Sequence, residues 1–123
     1  MEPVKRDSKH YKKLYVYPRI LISSSASEAE FYLTKSPYCS SLLRPLNQKL
    51  RQWAFADLFE LEQKVTLKAI NLQTVLCELN LDWVDWFKTD SQGTDLRLFK
   101  SLGDDIIKKV LIADFEPGII DVY

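Results

Sequence analysis

Apolar residues recur along this chain with two different periods. "YVYPRILIS" (15–23) predicts a strand that settles after Pro18, because proline lacks a ladder donor and suits a strand's start or edge. The polar stretch "SSSASEAE" predicts a turn. "AEFYLTK" (29–35) then alternates Phe31 and Leu33 against Tyr32 and Thr34, a strand period. From Ser36 to Gln48 the prolines and serines predict a loop, and "RQWAFADLFELEQ" (51–63) fits a short helix or an ordered loop. "KVTLKAI" (64–70) alternates again. "NLQTVLCELNL" (71–81) changes to helical spacing through Leu72, Val75, Leu76 and Leu79, with Asn71 as its cap. Upstream, "DSKHYKKL" (7–14) predicts a short helix capped by Asp7 or Ser8, with Tyr11 and Leu14 on one face.

The second half repeats one theme. "WVDWFKTD" (83–90) carries large apolar groups on both faces and predicts a strand in the middle of a parallel sheet covered on both sides. Thr94 and Asp95 predict the next helix start, with Leu96, Phe99 and Leu102 as its buried stripe and Gly103 as a left-handed end. After "DDIIKK", the continuous apolar run "VLIADFE" (110–116) predicts another inner strand, ended by Pro117–Gly118. Strands alternating with helices, two of them tipped by an acid, predict a three-layer α/β fold with a mostly parallel sheet.

Ligands of open α/β sheets sit at the carboxyl ends of the strands. Asp90 and Glu116 both stand there. An aspartate at that junction either lines a ligand crevice or simply caps the strand-to-helix turn. Together the two carboxylates offer hard oxygen ligands of the kind magnesium takes, but without fixed spacing, and no metal site is assigned to them.

The remaining composition narrows the field by exclusion. The 123 residues, 46% hydrophobic and 28% charged, suit a single globular unit at most. Charge balances to zero, although residues 1–50 hold nine Lys/Arg against four Asp/Glu and residues 51–123 hold eight against thirteen. The basic group Lys5, Arg6, Lys9, Lys12 and Lys13 reads as the solvated face of the first helix. It lacks the interleaved aromatics of a nucleic-acid platform, so no nucleic-acid partner is expected. No apolar run approaches the roughly 18 residues of a membrane span, and the charged N-terminus has no secretory core. Cys39 and Cys77, far apart and outside any CxxC, fit reduced thiols in a cytoplasmic protein. The lone His10 sits in the basic helix and makes a poor triad member. Cys39 has no base placed beside it. The three glycines form no phosphate cradle.

"VDWFKTDSQGTDLRLFK" (84–100) resembles the signature "(I/V)D-x-x-K-x-D-x-(E/Q)-G-x-(D/E)-x-x-x-(L/F)-K" of the FkbM-type S-adenosylmethionine-dependent methyltransferases, with Asp85, Lys88, Asp90, Gln92, Gly93, Asp95 and Lys100 on the matching positions. "ISSSASEAEFYLTKSPYCSSLL" is similar to the family's segment after its third strand, including an "SS-L" loop at Ser40, Ser41 and Leu42. "VTLKAINLQTVL" resembles its "v-v-x-t-L-D-x-l-l" element, with Gln73 where the family has an acid. The resemblance implies a Rossmann-like class I methyltransferase sheet, with S-adenosylmethionine as methyl donor and a hydroxyl of a small molecule or sugar as acceptor. It implies that Glu2 binds the ribose, that Ser23 or Ser24 lies near the adenine, and that Asp90 faces the methyl group or the acceptor. It also implies that residues 1–123 run from the end of the family's second strand to just after its fifth, without the first strand and its glycine-rich loop. In the family's strand order, 3-2-1-4-5-7-6, the third and fourth strands would then have no neighbour between them. Unpaired buried backbone groups cost about 1–3 kcal/mol each against a net stability of about 5–15 kcal/mol. The isolated chain is therefore expected to be partly unfolded, aggregated or rearranged. The alternative is a non-catalytic remnant or binding module whose open edges pair with a partner polypeptide.

Overall fold

The computed structural model describes residues 11–117 and 122–123. Glu2, His10, Lys5, Arg6, Lys9, Gly118 and most of the predicted first helix lie outside them. Residues 11–14, the described end of that helix, are not helical.

The chain is mixed α/β, with five strands in two small sheets. β1 (Ile20–Ile22) begins two residues after Pro18, as the missing ladder donor requires. β2 (Glu28–Thr34) and β3 (Leu61–Asn71) follow, and β3 is the centre of the first sheet. It pairs in parallel with β1, Ile20 opposite Ala69, and antiparallel with β2, Glu28 opposite Lys68. Between them the chain makes a 3-10 turn at Pro37–Cys39, the single-turn helix α1 (Asn47–Leu50) and a second 3-10 turn at Ala56–Phe59, the ordered loop the composition predicts.

Helix α2 (Leu72–Glu78) starts where its cap predicts: the Asn71 carboxamide oxygen accepts from the Thr74 N–H at 2.8 Å. It ends in a Schellman turn. Asn80 takes the left-handed conformation (φ 54°), its N–H bonds the Cys77 carbonyl, and the Leu81 N–H bonds the Leu76 carbonyl. Asn71→Ala is expected to lower stability by about 1 kcal/mol, read as a shift in the urea midpoint with an unchanged slope.

The second sheet is β4 (Trp86–Thr89) parallel to β5 (Ile112–Phe115), with Trp86 opposite Ile112 and Thr89 opposite Phe115. Two helices, α3 (Asp95–Lys100) and α4 (Asp104–Ile107), make the crossover that a parallel pair requires. Leu98 and Leu102 of this crossover join Phe87 of β4 and Leu76 of α2 in the buried core. Phe87, Phe99 and Phe115 meet there edge-on or tilted, with centroids 5.3–6.1 Å apart.

Four expectations need correction. The strands form two sheets, one of them mixed, rather than one mostly parallel sheet. β4 is not covered on both sides: Phe87 and Thr89 are buried, but Trp86 is 61% exposed and Lys88 faces water. β5 is likewise open, with Leu111 78% and Ile112 54% exposed. A two-stranded sheet with helices packed on one face leaves its other face wet, whatever its side chains. Finally, α3 turns Leu98 and Leu102 inward and leaves Leu96 57% exposed. Gly103 does take positive φ (82°), but with ψ 153° it stands as the N-cap of α4 rather than as a left-handed end.

Candidate functional site

The site is built at the carboxyl end of β4. The strand stops at Thr89, Asp90 and Ser91 leave it, and the chain reverses through Gln92 (φ 53°) and Gly93 (φ 105°) into α3. Two consecutive positive φ values are what force glycine at position 93, and a non-glycine residue held there at Gln92 is a local strain. Thr94 is the N-cap by position, as predicted, yet its hydroxyl makes no hydrogen bond although the residue is only 5% exposed.

Asp95 ties the turn together instead. Its carboxylate accepts from the Ser91 hydroxyl at 2.8 Å and more weakly from the Ser91 N–H at 3.4 Å. Burial works to raise its pKa, but the Ser91 hydroxyl and N–H, its own N–H and the Thr89 hydroxyl together hold it below the ordinary value of 3.8. A carboxyl depressed in the folded state contributes stability above its unfolded pKa and loses that contribution as pH falls through the folded one. Asp95→Asn is therefore expected to lower stability at neutral pH and to flatten the loss of stability below about pH 4, followed by thermal melts from pH 2 to 7.

With Asp95 and Ser91 bonded to each other, the two readings of Asp90 separate. It does not cap α3. It is exposed, and among the described residues its carboxylate accepts one hydrogen bond, from Gln92 Nε2 at 2.6 Å.

A cavity of about 490 Å³ opens beside this turn, within the range of small-molecule sites. Gln92, Gly93, Asp95 and Leu96 form one wall. Phe115, Glu116 and Pro117 from the end of β5, with Leu43 and Tyr123, form the other. Glu116 thus reaches the cavity that its strand-end position predicts, while Asp90 stands beside the cavity and does not line it. Tyr123 closes the far side. Its hydroxyl donates to the Cys39 carbonyl at 2.7 Å, and burial, then the neighbouring Cys39 and Asp90, push its pKa well above the ordinary phenol range, so it remains a donor. Cys39 and Cys77 are free thiols.

No family model, characterised protein or solved structure matches this chain. Nothing beyond the motif residues themselves therefore carries the methyltransferase resemblance.

Ser23 and Ser24 lie elsewhere, in a second cavity of about 200 Å³ between the end of β1, the start of β2 and α3, with Thr94, Arg97 and Leu98 opposite. Leu43 lines both cavities. The structure so brings Ser23 and Ser24 to within one side chain of the Asp90 turn, and Glu2 lies outside the described residues. Among those residues no three His, Cys, Asp or Glu side chains cluster as a metal site, and no helix is long and apolar enough to cross a membrane.

Tyr123, Phe115 and Leu43 escaped the sequence reading. Phe115 is only one apolar member of its strand and Leu43 only the second leucine after the serine pair, so nothing local marks either, or Tyr123, as a neighbour of the turn; the fold brings them there.

Proposed function

We propose that residues 1–123 form part of an S-adenosylmethionine-dependent methyltransferase that transfers a methyl group to a hydroxyl of a small molecule or sugar. The observation that carries this reading is the parallel pair β4–β5, whose carboxyl ends border a cavity of ligand size, with Glu116 in its wall and Asp90 beside it. The finer fold, a Rossmann-like methyltransferase sheet, is supported by the split between the sheets. β1 and β4 share no ladder, which is where the family's order would place two further strands.

The donor fits the residues present on one point of detail. The Thr94 side chain, whose buried hydroxyl has no hydrogen-bond partner among the described residues, lines the same small cavity as Ser23 and Ser24, the side on which a nucleobase would lie. The bound sulfonium would supply an activated methyl group. What remains for the chain is to hold an acceptor in line and to take the hydroxyl proton. Asp90 and Glu116 are the carboxylates available for that proton. The acceptor would enter through the large cavity, whose Leu96, Phe115 and Pro117 walls offer it apolar contact.

In titration calorimetry, saturable micromolar binding of S-adenosylmethionine by the folded 123-residue chain would support the reading; a flat titration of the intact protein overturns it. Asp90→Asn is expected to leave stability within about 0.5 kcal/mol, because the side chain is exposed and keeps one surface hydrogen bond. In the intact protein, methyl transfer by the Asp90→Asn variant should fall by about 10²- to 10⁴-fold if the carboxylate is the base; the isolated segment is expected to be inactive. Equal loss of melting temperature and turnover would make Asp90 a structural residue.

The exposed Trp86, Leu111 and Ile112 favour the second reading, a non-catalytic module whose open sheet pairs with another polypeptide. Saturable binding of the methyl donor would remove it.

A further inference from the structure

We infer that Ser41 is the positioning residue that holds the Gln92–Gly93 turn, and with it the wall between the two cavities. Ser41 is 1% exposed and fully bonded. Its backbone N–H and carbonyl both pair with Tyr32, an isolated bridge that fastens the 36–43 loop to β2. Its hydroxyl faces the opposite way and does two jobs at once. It donates to the Gln92 carbonyl at 2.7 Å and accepts from the Leu43 N–H at 3.0 Å.

Those two partners are the two sides of the site. Gln92 is held at φ 53°, a conformation that a non-glycine residue keeps only when its surroundings fix it. Leu43 lines both cavities and approaches Gly93 so closely that a Cβ there would stand 3.1 Å from Leu43 Cδ1. A single buried oxygen thus sets the spacing between the turn that carries Asp90 and the leucine that separates the nucleobase side from the acceptor side. It is also the direct hydrogen bond from the first sheet's loop to the second sheet's ligand end, across sheets that share no ladder.

Ser40 supplies a matched control. Its hydroxyl accepts from the Thr34 N–H at 3.1 Å and lies 3.4 Å from the Thr34 hydroxyl, contacts that stay between this loop and the end of β2. A residue that only stabilises the loop would behave as Ser40 does.

The ligand part of this inference rests on the methyltransferase reading; the geometry does not. The test compares Ser41→Ala, Ser41→Cys and Ser40→Ala in the full chain by amide NMR of Gln92 and Gly93 and by calorimetry with S-adenosylmethionine. Ser41→Ala is expected to split or broaden the Gln92 and Gly93 resonances and to weaken donor binding about tenfold. Ser41→Cys, of similar size but a weak donor, should fall between, and it serves if the alanine variant does not fold. Ser40→Ala should lower the melting temperature while leaving both readouts at wild-type values. Unchanged Gln92 and Gly93 signals in both Ser41 variants, or an equal change in Ser40→Ala, overturn the inference. Altered signals in a wild type and variants that all fail to bind S-adenosylmethionine would leave Ser41 as the holder of the turn and overturn the methyltransferase reading alone. Altered signals with unchanged donor affinity would overturn the claim that the turn sets the binding geometry.

Discussion

Leu98→Ala is expected to destabilise the chain by about 2–5 kcal/mol, the usual cost of truncating a buried leucine. Leu98 is 2% exposed and packs with Leu76, Phe87 and Leu102, so the vacated volume borders every element of the main core. Against a typical total of about 5–15 kcal/mol this is enough to leave a sizeable unfolded fraction near body temperature. Leu96→Ala, two residues earlier on the same helix, should change stability by less than about 0.5 kcal/mol. Its side chain borders the large cavity, so any effect belongs in ligand binding. Chemical denaturation of both variants decides which face of α3 is the inner one; equal losses would contradict the packing described.

Gly93→Ala should be the most damaging single change at the turn. Holding φ at 105° costs a side-chain-bearing residue about 1–3 kcal/mol. The new Cβ would also meet Leu43 Cδ1 at 3.1 Å and Tyr123 Cδ2 at 3.2 Å, and overpacking adds about 1–3 kcal/mol. A melting temperature lower by roughly 10 °C is expected, together with loss of whatever the cavity binds. Gly103→Ala provides the comparison. It shares the positive φ, but its nearest neighbour is Gln73 Nε2 at 3.8 Å, so only the backbone strain applies. A Gly93→Ala variant as stable as Gly103→Ala would show that Leu43 and Tyr123 yield freely.

Local signals in the sequence were read well. Pro18 placed the start of β1, Asn71 the start of α2, and the acid at the end of each apolar run placed the strand ends at Asp90 and Glu116. Those features act through the backbone within a few residues, so a short window contains the whole cause. What failed depends on distant partners. "WVDWFKTD" and "VLIADFE" carry the side chains of doubly covered strands, and whether both faces are in fact covered is decided by elements elsewhere. Leu96 and Leu98 are equally apolar; only the position of Phe87 and Leu76 selects the second. Strand polarity picks out Glu116, which lines the cavity, and Asp90, which stands beside it; turn chemistry picks out Gln92–Gly93. Which acid fastens the turn is not legible in the sequence. Asp95 does so because Ser91 faces it, a side-chain pairing across one turn that spacing alone does not choose.

The uncovered face of the second sheet governs how the protein behaves in a tube. Trp86 and Ile112 sit side by side on neighbouring strands, with Leu111 next to them, and among the described residues β4 and β5 each keep an unpaired edge. Sticky strand edges are ordinarily kept apart by like charge. Here the formal charge is zero and the isoelectric point about 6.6, so in neutral buffer there is little long-range repulsion to prevent self-association. Concentrated stocks should stay clear longest well away from that pH.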